Sequence, residues 1–436
     1  MNNPIVAIIG RQNVGKSTLL NRLAGQRLAI TEDMPGTTRD RIFALIPSKG
    51  RPFTLVDTGG LEIKPESDIT RGINEQIQTA IDEADLIIFL TDIRDGITPV
   101  DYEISDILRK KSKPVILVAN KADNDLLEAQ VTEFFQIGLG QPLAISAYHG
   151  RGIDELLDKI ISLLPEEESL PAEDPAIKVA IIGRANVGKS TLLNNLLGKE
   201  RAIVDKKPGT TRDAIDTYLK FNEYNILLID TAGVRRRGRI EPGIERFSVI
   251  RTLKAIDRAD IVLLLIDASE TITSQDTHIA GYAIQATKGI IILVNKCDLV
   301  EGLKLAELND IIKSRLKFVP FAPIIYISAK LGRGVKEILP KVVDTFKQRF
   351  KRVTTAEVNN MLKEVTAAHE PPTSGSRKLK FLYGTQAEVN PPTFVFFVND
   401  PKLLHFSYRR YLENKLRQSF GFDSTPVKMN FRSRAK

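Results

Sequence analysis

The chain has 436 residues, is 42 % hydrophobic and 27 % charged, and carries a formal net charge of +8. That length exceeds one ordinary core and predicts about three domains. Its longest apolar runs, such as 261–266, are strand-length and far short of a membrane span. One cysteine, Cys297, excludes an internal disulfide framework and a cysteine-based zinc site. The histidines at 149, 278, 369 and 405 lack ligand spacing.

The chain enters a predicted strand at 4–9 without room for a signal peptide, so a cytoplasmic protein is expected. A phosphate-loop pattern follows, Gly10-Arg11-Gln12-Asn13-Val14-Gly15-Lys16-Ser17, before an apolar helix pattern. Continuous apolar runs at 53–57, 86–91, 114–119 and 142–146 alternate with helix patterns. Runs without polar alternation are buried on both faces, so the pattern predicts a mostly parallel sheet with helices on both sides. Residues 166–175 are acidic and proline-rich and read as a linker.

The whole arrangement then repeats. Gly183-Arg184-Ala185-Asn186-Val187-Gly188-Lys189-Ser190 is a second phosphate loop, and strands are predicted at 177–182, 225–230, 260–266, 289–294 and 323–327. Pro35 to Asp40 returns as Pro208 to Asp213, and Asp57-Thr58-Gly59-Gly60 returns as Asp230-Thr231-Ala232-Gly233. Asn120-Lys121-Ala122-Asp123 returns as Asn295-Lys296-Cys297-Asp298, and Ser146-Ala147 as Ser328-Ala329. This is a duplicated domain, with the copies at 1–165 and 176–348.

The last part, 349–436, differs. A helix is predicted at 355–368, strands at 378–389 and 393–398, a helix at 401–420 and a strand at 427–431, a small α+β domain. Residues 346–436 hold 17 Lys and Arg against 7 Asp and Glu, a net of +10, which leaves −2 for the rest. A basic domain beside near-neutral ones points to an anionic partner, RNA ahead of membrane. Lys378, Lys380, Arg409, Arg410, Lys415 and Arg417 are its candidate phosphate contacts.

The motif chemistry is that of a Mg²⁺-dependent nucleotide hydrolase. Glycines let backbone N–H groups turn around a β-phosphate at a helix N-terminus, and Lys16 and Lys189 reach the β- and γ-phosphates. Ser17, Thr38 and Asp57 are the expected Mg²⁺ groups of one copy, and Ser190, Thr211 and Asp230 those of the other. Lys16, Thr38 and Gly60, with Lys189, Thr211 and Gly233, are the expected catalytic groups. Base choice falls to Asp123 and Asp298, whose carboxylates can accept two bonds from guanine N1–H and its 2-amino group, donors adenine lacks. Asn120 and Asn295 would contact the base or brace the loop, while the stems of Lys121 and Lys296 cover the ring. Cys297 reads as a small packed residue.

These motifs in order resemble the translation-factor class of P-loop GTPases. Two such domains followed by a small basic α+β domain resemble the bacterial double-GTPase family Der (EngA). The segments Pro391 to Asp400 and His405 to Leu412 are especially similar to that family's C-terminal domain, although no Gly-x-x-Gly loop stands between helices there. The resemblance covers essentially the whole chain. It implies a K-homology-like third domain and a GTP-to-GDP switch, monomeric, acting with rRNA in assembly of the large ribosomal subunit or its precursor.

The residue after each Asp-x-x-Gly is Leu61 or Val234, and neither side chain can orient a water as a glutamine would. Asn13 and Asn186 match a position that resembles the potassium ligand of cation-dependent GTPases. K⁺ held there, with the loops of Thr37 and Thr210, is therefore expected beside Mg²⁺. Rival readings are a tRNA-modifying GTPase, whose expected C-terminal cysteine is absent, a membrane-surface GTPase, and a nucleotide-dependent kinase or synthetase.

Overall fold

A computed structural model describes residues 3–25, 43–48, 51–58, 81–165, 176–199, 216–231, 248–270, 272–300, 302–371, 373–374 and 377–433. Thr37, Thr38, Gly59, Gly60, Leu61, Thr210, Thr211, Ala232, Gly233 and Val234 lie outside them, as does the linker 166–175.

In the first copy the sheet order is β2-β3-β1-β4-β5-β6. Its strands are β1 (Ile5–Ile9), β2 (Phe43–Ile46), β3 (Phe53–Asp57), β4 (Leu86–Asp92), β5 (Val115–Asn120) and β6 (Leu143–Ala144). All neighbours are parallel except β2 on β3. Every residue of β1, β3 and β4 is buried, as unbroken apolar runs require when helices cover both faces. The helices are α1 (Lys16–Gly25), α2 (Pro99–Arg109), the short α3 (Asp125–Ala129) and α4 (Ile153–Leu163). Leu19, Leu20 and Leu23 of α1 and Leu156 and Ile160 of α4 share one core with Val6, Ile8, Leu55 and Ile88.

The second copy repeats this order as β8-β9-β7-β10-β11-β12. Its strands are β7 (Ile177–Ile182), β8 (Thr217–Phe221), β9 (Tyr224–Ile229), β10 (Ile261–Asp267), β11 (Gly289–Asn295) and β12 (Ile324–Tyr326). The helices along this stretch of the chain, among the described residues, are α5 (Lys189–Lys199), α6 (Ser248–Arg258), α7 (Ser274–Gln285), α8 (Gly302–Arg315) and α9 (Ile338–Arg349). Every strand read from the sequence is present. The pattern did not reveal β2 and β8, because an edge strand buries only alternate residues and these run only four and five residues.

The C-terminal domain has α10 (Thr355–Ala368), a short hairpin of β13 (Thr373–Ser374) and β14 (Arg377–Lys378), then β15 (Phe381–Glu388), β16 (Thr393–Val398), α11 (Phe406–Phe420) and β17 (Lys428–Ser433). Thr354 and Glu357 cap α10 reciprocally, which starts that helix where the sequence suggested. β16 is central, antiparallel to β15 and parallel to β17. Phe394 and Phe396 pack under Met361, Leu362, Leu412 and Leu416 of the two helices. Gly384 lies opposite Phe396, where a Cβ would approach that ring to 2.7 Å.

The chain forms two compact units, one of residues 1–173 and 240–257, the other of 174–239 and 258–436. The C-terminal domain thus shares a unit with most of the second copy, and the joint is polar and buried. The amide of Ile290 donates to Ser424 O at 2.8 Å, and the amide of Ser424 to Phe321 O at 3.1 Å. Arg349, 3 % exposed at the end of α9, donates to Thr287 O, Thr425 Oγ1 and Asn390 Oδ1 at 2.9, 3.2 and 2.7 Å. Burial pushes its guanidinium down to about 10. These contacts gather at Thr287 and Ile290, where β11 begins, whereas phosphate binds at the opposite, C-terminal ends of parallel strands.

Arg349→Ala takes the donor from buried Thr425 Oγ1, from half-buried Thr287 O and from exposed Asn390 Oδ1. It should cost about 2–4 kcal/mol and lower the urea midpoint of the second unit, followed by circular dichroism.

Candidate functional site

Each phosphate loop links a buried strand to a helix, β1 to α1 and β7 to α5. Lys16 is 8 % exposed and its Nζ donates to Gly10 O and Arg11 O at 2.8 and 2.7 Å. Lys189 does the same to Gly183 O, at 2.6 Å, and to Arg184 O. The ammonium is thus held over the cradle by loop carbonyls, in position to turn to phosphate.

The base motif is wired to this loop. Asn120 Nδ2 donates to Val14 O at 2.8 Å, and its Oδ1 accepts from the Ala147 amide at 3.0 Å. Asn295 bridges Val187 O and the Ala329 amide at 2.7 and 2.8 Å. These bonds make each asparagine a brace between the two loops. The brace dictates the glycine beside it: Gly15 has φ +97 and a Cβ there would stand 2.4 Å from Asn120, while Gly188 has φ +99 and 2.3 Å from Asn295.

Lys121 and Lys296 adopt left-handed backbone at φ +70 and +64. Their ammonium groups pair with Asp92 and Asp267, each 1 % exposed, which anchors both side chains at the ends of β4 and β10. Ser146 Oγ donates to Asp123 Oδ1 at 2.6 Å. That bond is the chief reason the Asp123 carboxyl is held below the usual carboxylate range, and Ser328 does the same for Asp298. Both carboxylates are therefore ionised acceptors at neutral pH. Cys297 Sγ donates to Val294 O at 3.2 Å and burial pushes its thiol up, the chemistry of a packed residue. Ala122 is buried beside Asp123.

The expected metal groups differ between copies. Ser17 Oγ donates to Asp57 Oδ2 at 2.5 Å, with Asp57 fully buried. Thr58 Oγ1 donates to Ile8 O at 2.7 Å, locking the strand end. Asp230 instead leaves its strand at φ +55, with its amide donating to Asp216 Oδ1 at 3.0 Å. Arg258 pairs with the same Asp216, whose place in the first copy is taken by Phe43. Thr231 Oγ1 lies 2.7 Å from Thr217 Oγ1. Asn13 and Asn186 are exposed at φ +64 and +60 on the loop crests, together with exposed Gln12 and half-buried Ala185.

Sequence reasoning missed two sets of supports. Arg11 leaves the phosphate loop to pair with Asp95 at 2.7 Å and approaches Asp101 at 3.6 Å, while Arg184 pairs with Glu270 and Asp276 at 3.0 Å each. Asp101 and Asp276 are the capping-box acids of α2 and α7, so the duplicated Thr-x-x-Asp at 98–101 and 273–276 was a readable signal. Arg22 of α1 and Asn195 of α5 hold the last motif through Ala147 O at 2.8 Å and Ala329 O at 3.0 Å. No local pattern marks those.

One basic candidate is overturned. Arg417 is 10 % exposed and donates to Phe422 O and Thr425 O at 2.6 and 2.9 Å. It also pairs with Glu413 at 2.8 Å and lies 3.9 Å over the Phe321 ring. It is part of the buried joint, because helix periodicity turns that position inward beside Leu416. Lys380 and Arg410 are exposed, and Lys378 pairs with Glu370 at 2.7 Å. Arg409 and Lys415 lie 6.0 Å over Phe431 and Tyr411.

Two phosphate loops, each braced to an Asn-Lys-x-Asp motif on a mostly parallel sheet, define a tandem P-loop GTPase, a GTP-hydrolysing enzyme. A family model described as "50S ribosome-binding GTPase" matches residues 5–121 and 178–296. One described as "KH-domain-like of EngA bacterial GTPase enzymes, C-terminal" matches 352–432. The chain is 51 % identical over 439 residues to GTPase Der of Caldanaerobacter subterraneus subsp. tengcongensis, covering 100 % of both chains. GTPase Der of Clostridium novyi is 47 % identical over 436 residues, again covering 100 % of both. The chain belongs to the GTPase Der family. Among the described residues no helix is long and apolar enough to cross a membrane.

Asn120→Ala unties the two loops of the first copy and leaves a buried carbonyl and amide unpaired. It should weaken guanine-nucleotide binding there about tenfold or more, read by fluorescent GDP titration.

Proposed function

We propose that the chain is a double GTPase switch acting in assembly of the large ribosomal subunit, organised as GTPase domains 1–165 and 176–348 and a basic K-homology-like domain 349–436. The observation that carries the nucleotide reading is the duplicated brace from Val14 and Val187 through Asn120 and Asn295 to the Ser-Ala motif. The ribosomal reading is supported by the description of the matched GTPase family and by the net charge of +10 in residues 346–436.

The hard oxygens of Ser17 and Asp57, already within one hydrogen bond, fit Mg²⁺, with Ser190 and Asp230 as counterparts and Thr38 and Thr211 joining from the segments after each phosphate loop. When bound, that ion neutralises charge developing on the phosphates. Asp123 and Asp298 select guanine, Lys16 and Lys189 stabilise the β–γ region, and Gly60 and Gly233 donate backbone N–H to the γ-phosphate. Exposed Asn13 and Asn186 offer amide oxygens to K⁺, assisted by Thr37 and Thr210. K⁺ would supply the positive charge that Leu61 and Val234 do not help to compensate.

Asp123→Asn and Asp298→Asn should each lose GTP in their own domain and accept xanthine nucleotides, whose 2-oxo group pairs with an amide. Unchanged GTP affinity would refute the base assignment. Turnover should be faster in KCl than in NaCl at equal ionic strength, and Asn13→Ala or Asn186→Ala should remove the difference in its domain; equal rates would assign the charge to another group.

The ribosomal reading is tested by co-sedimentation of the full chain with large subunits under GTP, GDP and a non-hydrolysable analogue. Nucleotide-independent failure to pellet would overturn it. Lys380→Ala and Arg410→Ala should each flatten the salt dependence of binding by about one unit of log–log slope. Arg417→Ala should instead lower stability.

A further inference from the structure

The two copies differ at one place beside their base-selecting carboxylates. In the first, Arg94 stands two residues beyond β4, with its amide on Asp92 Oδ1 at 3.0 Å. Its guanidinium donates to Asp123 Oδ2 while Ser146 holds Oδ1 at 2.6 Å. Both oxygens that guanine must reach therefore already accept protein donors. In the second copy the matching residue is Ser269. Its amide and hydroxyl turn away to Asp267 Oδ1 at 2.9 and 2.6 Å. Part of the surroundings is shared: Lys121 and Lys296 pair alike, Ser146 and Ser328 each bridge to an arginine, Arg151 and Arg333, while Lys330 adds a positive charge near Asp298 in the second copy. Tyr148 and His149 replace Lys330 and Leu331, and His149 Nε2 lies 4.0 Å from Asp123 Oδ1.

We infer that Arg94 is a displaceable guard on the base-recognising carboxylate of the first GTPase domain, weakening guanine-nucleotide binding there and hastening release. The inference rests on the reading that Asp123 recognises guanine. Arg94 is 55 % exposed and Asp123 18 %, so the guanidinium can swing into water when the base arrives. Guanine N1–H must then replace a charge-assisted bond rather than meet an open acceptor, and this competition lowers apparent affinity. Once displaced, the arginine stays tethered near the carboxylate and recaptures it as the base leaves. The second domain, with Ser269, lacks this competitor at the matching place, so the two nucleotide sites of one chain acquire different lifetimes.

The test uses the full chain carrying Asp298→Asn, in which GDP reports the first domain and xanthosine diphosphate the second. Adding Arg94→Ser should tighten fluorescent GDP binding about two- to fivefold, the range an exposed ion pair supports, mostly through slower release. Xanthosine diphosphate binding should not change, which also reports folding. The gap between chains with and without Arg94→Ser should narrow as NaCl rises from about 0.05 to about 0.5 M, because exposed pairs are screened. Arg94→Lys should fall between them. Unchanged or weaker GDP binding in Arg94→Ser at low salt would overturn the guard and make Arg94 neutral or a base contact. Two GDP sites persisting in the Asp298→Asn chain would instead sink the base-recognition reading, and stoichiometry separates the two failures.

Discussion

The nucleotide sites depend on one amide side chain used at both ends. Asn120 gives its nitrogen to the phosphate loop and its oxygen to the Ser-Ala loop, and Asn295 repeats this. The two loops come from opposite ends of each copy's sequence, so without the bridge the phosphate cradle and the base acceptor would be positioned independently. Its closeness excludes any Cβ at Gly15 and Gly188 and so explains the second glycine of each phosphate motif. The bridge is buried, where an unmet donor or acceptor is costly, and the geometry is correspondingly well determined.

Around that constant feature the copies have diverged in charge. Phe43 of one is Asp216 of the other, and Asp216 gathers Arg258 and the Asp230 amide into a cluster that ties the start of β8 to Asp230. Arg94 of one is Ser269 of the other. The duplicated sheet therefore supplies two cradles of one design, with differences beside Asp230 and beside Asp123.

The basic C-terminal domain adjoins the second copy through Arg349, Arg417 and the Phe422–Thr425 loop. These groups meet β11 at its start, away from the phosphate end. A polar, multiply bonded joint of this kind fixes orientation more than it adds stability, since each bond replaces one to water. Lys380 and Arg410 of this domain are exposed.

The sequence by itself determined the duplication, the strands of both sheets except β2 and β8, the α-β-β-α-β order of the last domain and the residues of each motif. Those follow from unbroken apolar runs, helix periodicity and glycines at fixed spacing, all local signals. Only the tertiary structure revealed the brace made by Asn120 and Asn295, because its partners lie more than a hundred positions away in Val14 and Val187. It alone withdrew Arg417 from the basic surface, since charge counting cannot see that the Phe422–Thr425 loop and the Phe321 ring cover one side of α11. It alone brought Arg94 onto Asp123, a pairing across 29 residues that no period or motif encodes. Local order is written in spacing, whereas the partner of a long charged side chain is chosen by whichever opposite charge the fold brings within its reach.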